Sequence, residues 1–196
     1  MEDPAAAVAA QKIALRDRLL TDRRRLTLLE VGEAARAIAG QLLATEAVRR
    51  SATVAAYVSV GKEPGTGPLL DALLAAGRRV ILPVLLPDND LDWAVHTGRL
   101  RSAGRGLLEP DGPRLGPAAV ATADAVLTPG LAVDRSGMRL GRGGGSYDRA
   151  LGRVPVGTFT CTLLYDTELV DEVPADPHDR RVTAAATPRG VTWFRG

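Results

Sequence analysis

Short apolar, β-branched runs alternate with helical patterns along this chain, and that alternation restricts its fold more than any other feature. Residues 53–60 (TVAAYVSV), 79–86, 91–97, 125–128 and 154–162 read as strands, and 182–194 as a last one. Two helices are expected ahead of them. Pro4 after Asp3 suits a helix start, and Val8, Ile13, Leu15, Leu19 and Leu20 form a loose helical stripe. Thr27 with Glu30 fits a capping box, so a second helix should run from there to about residue 44. A short helix over 69–76 and a helical pattern from 148 to 151 follow, while 98–117 look irregular. Such alternation predicts α/β layers around a mostly parallel sheet, with ligands bound beyond the carboxyl ends of the strands. Two loops there carry unusual chemistry, 61–68 and 129–148.

Length and charge narrow the field further. With 196 residues, 45% of them apolar, the chain suits one domain spanning 1–196 with a sizeable core. Its net charge is +2 with acids and bases interleaved, which argues against a nucleic-acid partner. The dense run Arg23-Arg24-Arg25 is expected on the solvated side of a helix. Cys161 is the single cysteine, and His96 and His178 are the two histidines, so neither a disulfide nor a Cys/His metal cluster is expected. Cys161 reads as a small buried hydrophobe, and Trp93 and Trp193 as partly buried packing. No apolar run approaches the roughly 20 residues that span a bilayer, and Glu2 and Asp3 have the wrong charge for a secretory signal. A cytoplasmic monomer with no membrane partner is the expectation. Only Lys12 and Lys62 are lysines among 25 basic residues, which singles both out, because a compact ammonium fits tight sites that a guanidinium cannot.

The segment 129–148 reads PGLAVDRSGMRLGRGGGSYD. Its glycines Gly141, Gly143, Gly144 and Gly145 let the backbone approach a ligand, and successive N–H groups there can form an anion site. A helix starting near Ser146 would add its positive end. Arg139 and Arg142 can grip phosphate oxygens, and Asp148 offers a hard oxygen suited to Mg²⁺. The pattern points to a nucleotide-triphosphate site. It is neither a Walker A loop, since Gly61-Lys62 is followed by Glu63, nor a dinucleotide fingerprint, since Ser146 stands where the third glycine belongs.

This segment resembles the most characteristic motif of the 5-formyltetrahydrofolate cyclo-ligase family. The family's Lys-x-x-Leu-Arg element has its counterpart in Lys12-Ile13-Ala14-Leu15-Arg16. The family's strand and acidic loop match Tyr57 to Glu63, and its late His-Asp element matches His178-Asp179. The resemblance implies a three-layer α/β/α sandwich related to sugar-phosphate isomerases and CoA transferases. It implies that ATP is bound by Lys12, Ile13, Ala14, Leu15 and Arg16 together with Arg139, Leu140, Gly141, Arg142, Gly143, Gly144, Gly145, Ser146 and Tyr147. It further implies that the folate contacts Val58, Glu63 and Arg142 through Ser146, and that Asp148 and Asp179 hold Mg²⁺. Arg142 and Asp148 are the expected catalytic residues. The implied reaction joins ATP to ring closure of 5-formyltetrahydrofolate, free or polyglutamylated, with no protein nucleophile.

Two positions depart from the family pattern. Ser146 stands where the family often has tyrosine, and Val182-Thr183 where it usually has Val-Asp. They support a rival reading, a nucleotide- or folate-binding regulator without turnover. Another rival is a sugar-phosphate isomerase or CoA-transferase relative, which would need a catalytic carboxylate but no ATP. His178, in Asp176-Pro177-His178-Asp179, reads as part of a turn rather than of a catalytic pair. Lys12 and Arg16 are four apart and share one helix face, where surface charges are worth little for stability.

Overall fold

A computed structural model describes residues 4–104 and 106–194; Glu2 and Asp3, read above for their charge, lie outside them. Helix α1 (Pro4–Arg25) opens the chain, followed by α2 (Leu28–Ala44) and the short α3 (Glu46–Arg50). The capping box forms as expected: Glu30 N–H donates to the Thr27 hydroxyl at 3.2 Å, and Thr27 N–H donates to the Glu30 carboxylate at 2.7 Å. Next come β1 (Thr53–Ala55), α4 (Gly67–Ala75), β2 (Arg79–Leu85) and β3 (Leu91–Val95). The hairpin β4 (Leu100–Ser102) and β5 (Leu108–Pro110) precedes β6 (Ala125–Pro129), β7 (Ala132–Asp134) and β8 (Arg139–Leu140). Helix α5 (Ser146–Leu151) leads to β9 (Phe159–Leu163), β10 (Leu169–Val170), β11 (Ala184–Thr187) and β12 (Gly190–Trp193).

Seven strands form the central sheet in the order β12-β11-β9-β6-β1-β2-β3. The five inner strands are parallel, and an antiparallel hairpin partner closes each edge. Successive strand residues face opposite sides, which splits the core in two. Val54, Val80 and Leu82 pack with Ile38 and Leu42 of α2 and with Leu69 and Leu73 of α4. Ala55, Ile81 and Val126 pack with Ala150 and Leu151 of α5 and with Val120 on the other face. Helices therefore cover both faces of a mostly parallel sheet, as the alternation predicts. A separate cluster seats α1, through Leu19, on Ala132 and Leu140 of the small β10-β7-β8 sheet and on Leu131 and Met138 beside them.

The differences from expectation have local causes. The strand expected over 53–60 leaves its ladder at Ala55. Ser59 N–H donates to the Thr66 hydroxyl at 2.9 Å, and Thr66 N–H donates to Ser59 Oγ at 3.1 Å, which draws the chain into the following loop. The strand expected over 182–194 is a hairpin, with Gly190 at φ 156° after Pro188 and Arg189. The irregular 98–117 contains the hairpin β4–β5, and the glycine-rich 129–148 contains the hairpin β7–β8. Asp134 Oδ1 pins the latter turn, accepting from the N–H groups of Ser136 and Met138.

Arg23 corrects the reading of the arginine run: it is 3% exposed and donates to Glu168 through Nε at 2.7 Å and Nη2 at 2.9 Å. Arg24 and Arg25 are exposed, as expected. Trp93 is wholly buried, while Trp193 is exposed and lies against Phe159, with ring centroids 4.9 Å apart. Cys161 is buried, and burial raises its thiol pKa. Among the described residues no helix is long and apolar enough to cross a membrane.

Candidate active site

A cavity of about 500 Å³ opens beyond the carboxyl ends of β1, β2 and β6. Tyr57, Val58 and Val60 line it past β1, Pro83 and Leu85 at the end of β2, and Pro129 and Gly130 at the end of β6. The glycine-rich loop supplies its far wall, from Arg139 through Asp148. Helix α1, seated on the small sheet, adds Lys12, Ile13 and Arg16. Two residues of the family-like element stay outside: Ala14 is exposed, and Leu15 packs against the small sheet beneath α1.

Lys12 is not a surface charge. It is 7% exposed, and its ammonium lies 2.5 Å from carboxylate oxygens of both Asp176 and Asp179. Burial pulls its pKa down, but the two carboxylates outweigh burial and hold it above the ordinary value. Burial pushes Asp179 up, yet the Asp176 N–H at 2.7 Å and Lys12 carry it below the usual carboxylate range. Arg16 Nε donates to the Gly141 carbonyl at 2.8 Å, joining α1 to the glycine loop.

Within that loop Gly143 has φ 103° and Gly145 has φ 72°, backbone conformations that side chains rarely adopt. Gly145 precedes α5, so Ser146, Tyr147 and Asp148 occupy its first turn. Arg139 is buried, donates to the Pro129 carbonyl at 3.0 Å and to Asp148 Oδ1 at 3.4 Å, and lies 5.7 Å over the Tyr147 ring. Its Nε has no hydrogen-bond partner among the described residues. Burial, with the Glu63 charge adding to it, raises the Tyr147 hydroxyl pKa well above its ordinary value. Arg142 is more exposed and donates through Nε to Glu63 Oε1 at 3.2 Å. Glu63 itself is 8% exposed, and its other oxygen accepts the Val60 N–H at 2.8 Å. Glu63 is thus a held carboxylate at the cavity wall.

Sequence reasoning passed over Asp176, which lines the cavity and pairs with Lys12. Its signal was present in Asp176-Pro177-His178-Asp179, a turn closed by Asp179 N–H donating to the Asp176 carbonyl at 3.0 Å. The apolar wall of Leu91, Leu107 and Leu108 was also missed. Thr183 does not line the cavity: it exchanges hydrogen bonds with Thr160, tying the approach to β11 against β9.

Two carboxylates and one imidazole of the Asp176–Asp179 turn gather at the cavity edge. Asp176, His178 and Asp179 can bring ligand atoms within 4.8 Å of one another, and the Lys12 ammonium already places positive charge between two of them. Asp148 lies outside that trio but lines the same cavity.

Comparison with known proteins agrees with this architecture. The family model described as the 5-formyltetrahydrofolate cyclo-ligase family matches residues 8–188. A protein of Mycolicibacterium smegmatis named 5-formyltetrahydrofolate cyclo-ligase is 44% identical over 192 residues, covering 94% of this chain and 97% of its own. The protein of that name from Escherichia coli K12 is 34% identical over 181 residues, covering 86% and 96%. The solved structure of 5,10-methenyltetrahydrofolate synthetase from Aquifex aeolicus, 27% identical, superposes with a TM-score of 0.81 over 94% of this chain and 93% of that one. From these matches and the fold they share, the chain belongs to the 5-formyltetrahydrofolate cyclo-ligase family.

Proposed function

We propose that this protein converts 5-formyltetrahydrofolate and ATP to 5,10-methenyltetrahydrofolate, ADP and phosphate. The observation that carries this reading is one cavity with two differently built walls. Lys12, Arg16 and the glycine loop supply cations and backbone N–H groups suited to a polyphosphate, and the Glu63 carboxylate, beside Val58, suits the N–H edge of a pterin. Arg142 touches both walls.

The chemistry follows from the substrate. A formyl oxygen on nitrogen is a poor leaving group. It attacks the γ-phosphorus, the bond to the bridging oxygen breaks, and ADP departs. N10 then attacks the formyl carbon, loses its proton, and the oxygen leaves as phosphate. The protein needs no nucleophile of its own; it must hold the formyl oxygen in line with the γ-phosphoryl group and balance the charge. Arg142 and the loop N–H groups serve that charge. Mg²⁺, held by Asp148 and Asp179, would neutralise the phosphate oxygens when bound. The enzyme is read as a cytoplasmic monomer that also accepts polyglutamylated folate; its single buried cysteine suits a reducing compartment.

Of the two departures that favoured a regulator, Thr183 is engaged away from the cavity, which leaves Ser146 alone. The deciding experiment is methenyltetrahydrofolate absorbance from 5-formyltetrahydrofolate with Mg-ATP, with ADP counted in parallel. Product and ADP in equal amounts are expected. A folded sample that makes neither at any substrate concentration would refute the enzyme reading.

A further inference from the structure

Lys62 is one of two lysines in the chain, and the mechanism above does not use it. Its ammonium donates to the Leu26 carbonyl, one residue past the end of α1. Its own carbonyl accepts the Tyr165 hydroxyl at 2.9 Å. The Tyr165 N–H donates to Glu168 Oε2 at 2.9 Å, and Glu168 pairs with Arg23 on the last turn of α1. The Arg23 guanidinium lies 5.6 Å over the Tyr165 ring and donates to the Gly130 carbonyl at 2.6 Å. These contacts close a ring: from α1 through Lys62, Tyr165 and Glu168 back to α1.

The ring joins two pieces of the cavity wall. Glu63 follows Lys62 directly, and α1 carries Lys12 and Arg16. A buried ion pair such as Arg23–Glu168, with both side chains 3% exposed, adds little net stability because desolvation offsets attraction. What the contacts supply is geometry, since each group has one place to stand. Burial raises the Tyr165 hydroxyl to about 12, so it remains a donor throughout the neutral range.

We infer that Lys62 and Tyr165 are positioning residues that set the Glu63 loop against α1, and so hold the folate wall in register with the ATP wall. This rests on the assignment of Glu63 to folate and of Lys12 and Arg16 to ATP.

Tyr165→Phe removes one oxygen and keeps the ring beneath Arg23; Lys62→Met keeps the stem and removes its clamp. Wild type and both variants are titrated calorimetrically with 5-formyltetrahydrofolate and, separately, with a non-hydrolysable ATP analogue. Each variant should bind folate about fivefold more weakly, roughly the worth of one hydrogen bond, and keep analogue affinity within about twofold. The KM for folate should rise in step. The double variant should lose less than the product of the single losses, because both changes release one loop. Folate binding as tight as wild type in both variants, or equal losses for the two ligands, would overturn the positioning role. A wild type that binds no folate would instead remove the Glu63 assignment, and this inference with it.

Discussion

Arg16 and Gly141 meet through a single hydrogen bond of 2.8 Å, from guanidinium to carbonyl, across 125 residues of chain. The loop offers its backbone rather than a side chain, so the fit between α1 and the glycine loop depends on how closely that backbone can approach. A methyl group added at Gly143 would lie 3.5 Å from the Arg16 guanidinium, in a backbone conformation already unfavourable for it.

Lys12 should matter for stability as well as for ATP. Lys12→Ala leaves Asp176 and Asp179 facing each other without their shared cation. The expected loss is roughly 2 kcal/mol, as for a charged hydrogen bond, or about 6 °C in melting temperature for a chain of this size. Affinity for a non-hydrolysable ATP analogue should fall as well. A variant that melts with wild type would show that the two ion pairs carry no net weight.

Asp148→Asn should keep the fold, because the amide oxygen can still accept the Arg180 N–H that Asp148 Oδ1 accepts at 3.1 Å. Turnover should fall by at least the ~10–100-fold typical of losing a metal ligand's supporting partner. Raising Mg²⁺ should recover part of it. Full turnover at ordinary Mg²⁺, with an unchanged melting curve, would rule out the metal assignment.

Glu63→Gln should raise the KM for 5-formyltetrahydrofolate by about tenfold or more, the cost of weakening a charged hydrogen bond. The KM for ATP should stay within a small factor. An effect confined to ATP would move Glu63 to the other wall.

Asp90 accepts from both ends of the Arg153 guanidinium, at 2.8 and 2.6 Å, and so pins the chain just after α5 to the β2–β3 hairpin. The Arg153 hydrogen bonds outweigh burial and hold the carboxylate below its usual value of 3.8. A lowered carboxylate pKa contributes stability above the unfolded value and loses it as pH falls through the folded one. Wild type should therefore exceed Asp90→Asn in stability at pH 7, and the gap should shrink below about pH 4. Urea unfolding at both pH values measures it; a constant gap would mean that Asp90 acts by shape alone.

Much of the fold was legible because its signals are local. The Thr27–Glu30 box, the β2 run and the start of the glycine loop each depend on residues a few positions apart. The partners of α1 were not legible. Lys12 finds Asp176 and Asp179 at separations of 164 and 167 residues, and nothing near Lys12 announces an acidic turn so far away. Arg23 was misread for the same reason: within its run it resembles Arg24 and Arg25, and only the distant Glu168 distinguishes it. Glu63 and Arg142 were each picked out in sequence, but their contact across 79 residues was not.

Helix α1 precedes the sheet strands in sequence, yet its polar anchors at Gly130, Gly141, Glu168, Asp176 and Asp179 lie 107 to 167 residues downstream. Contacts so distant in sequence form late, once the intervening chain has been ordered. The sheet can therefore assemble with the helix still waiting, and docking of α1 becomes the step that turns a folded scaffold into a competent enzyme. Pulse-labelled hydrogen exchange during refolding should show amides of β1, β2 and β6 protected before those of α1; simultaneous protection would contradict that order.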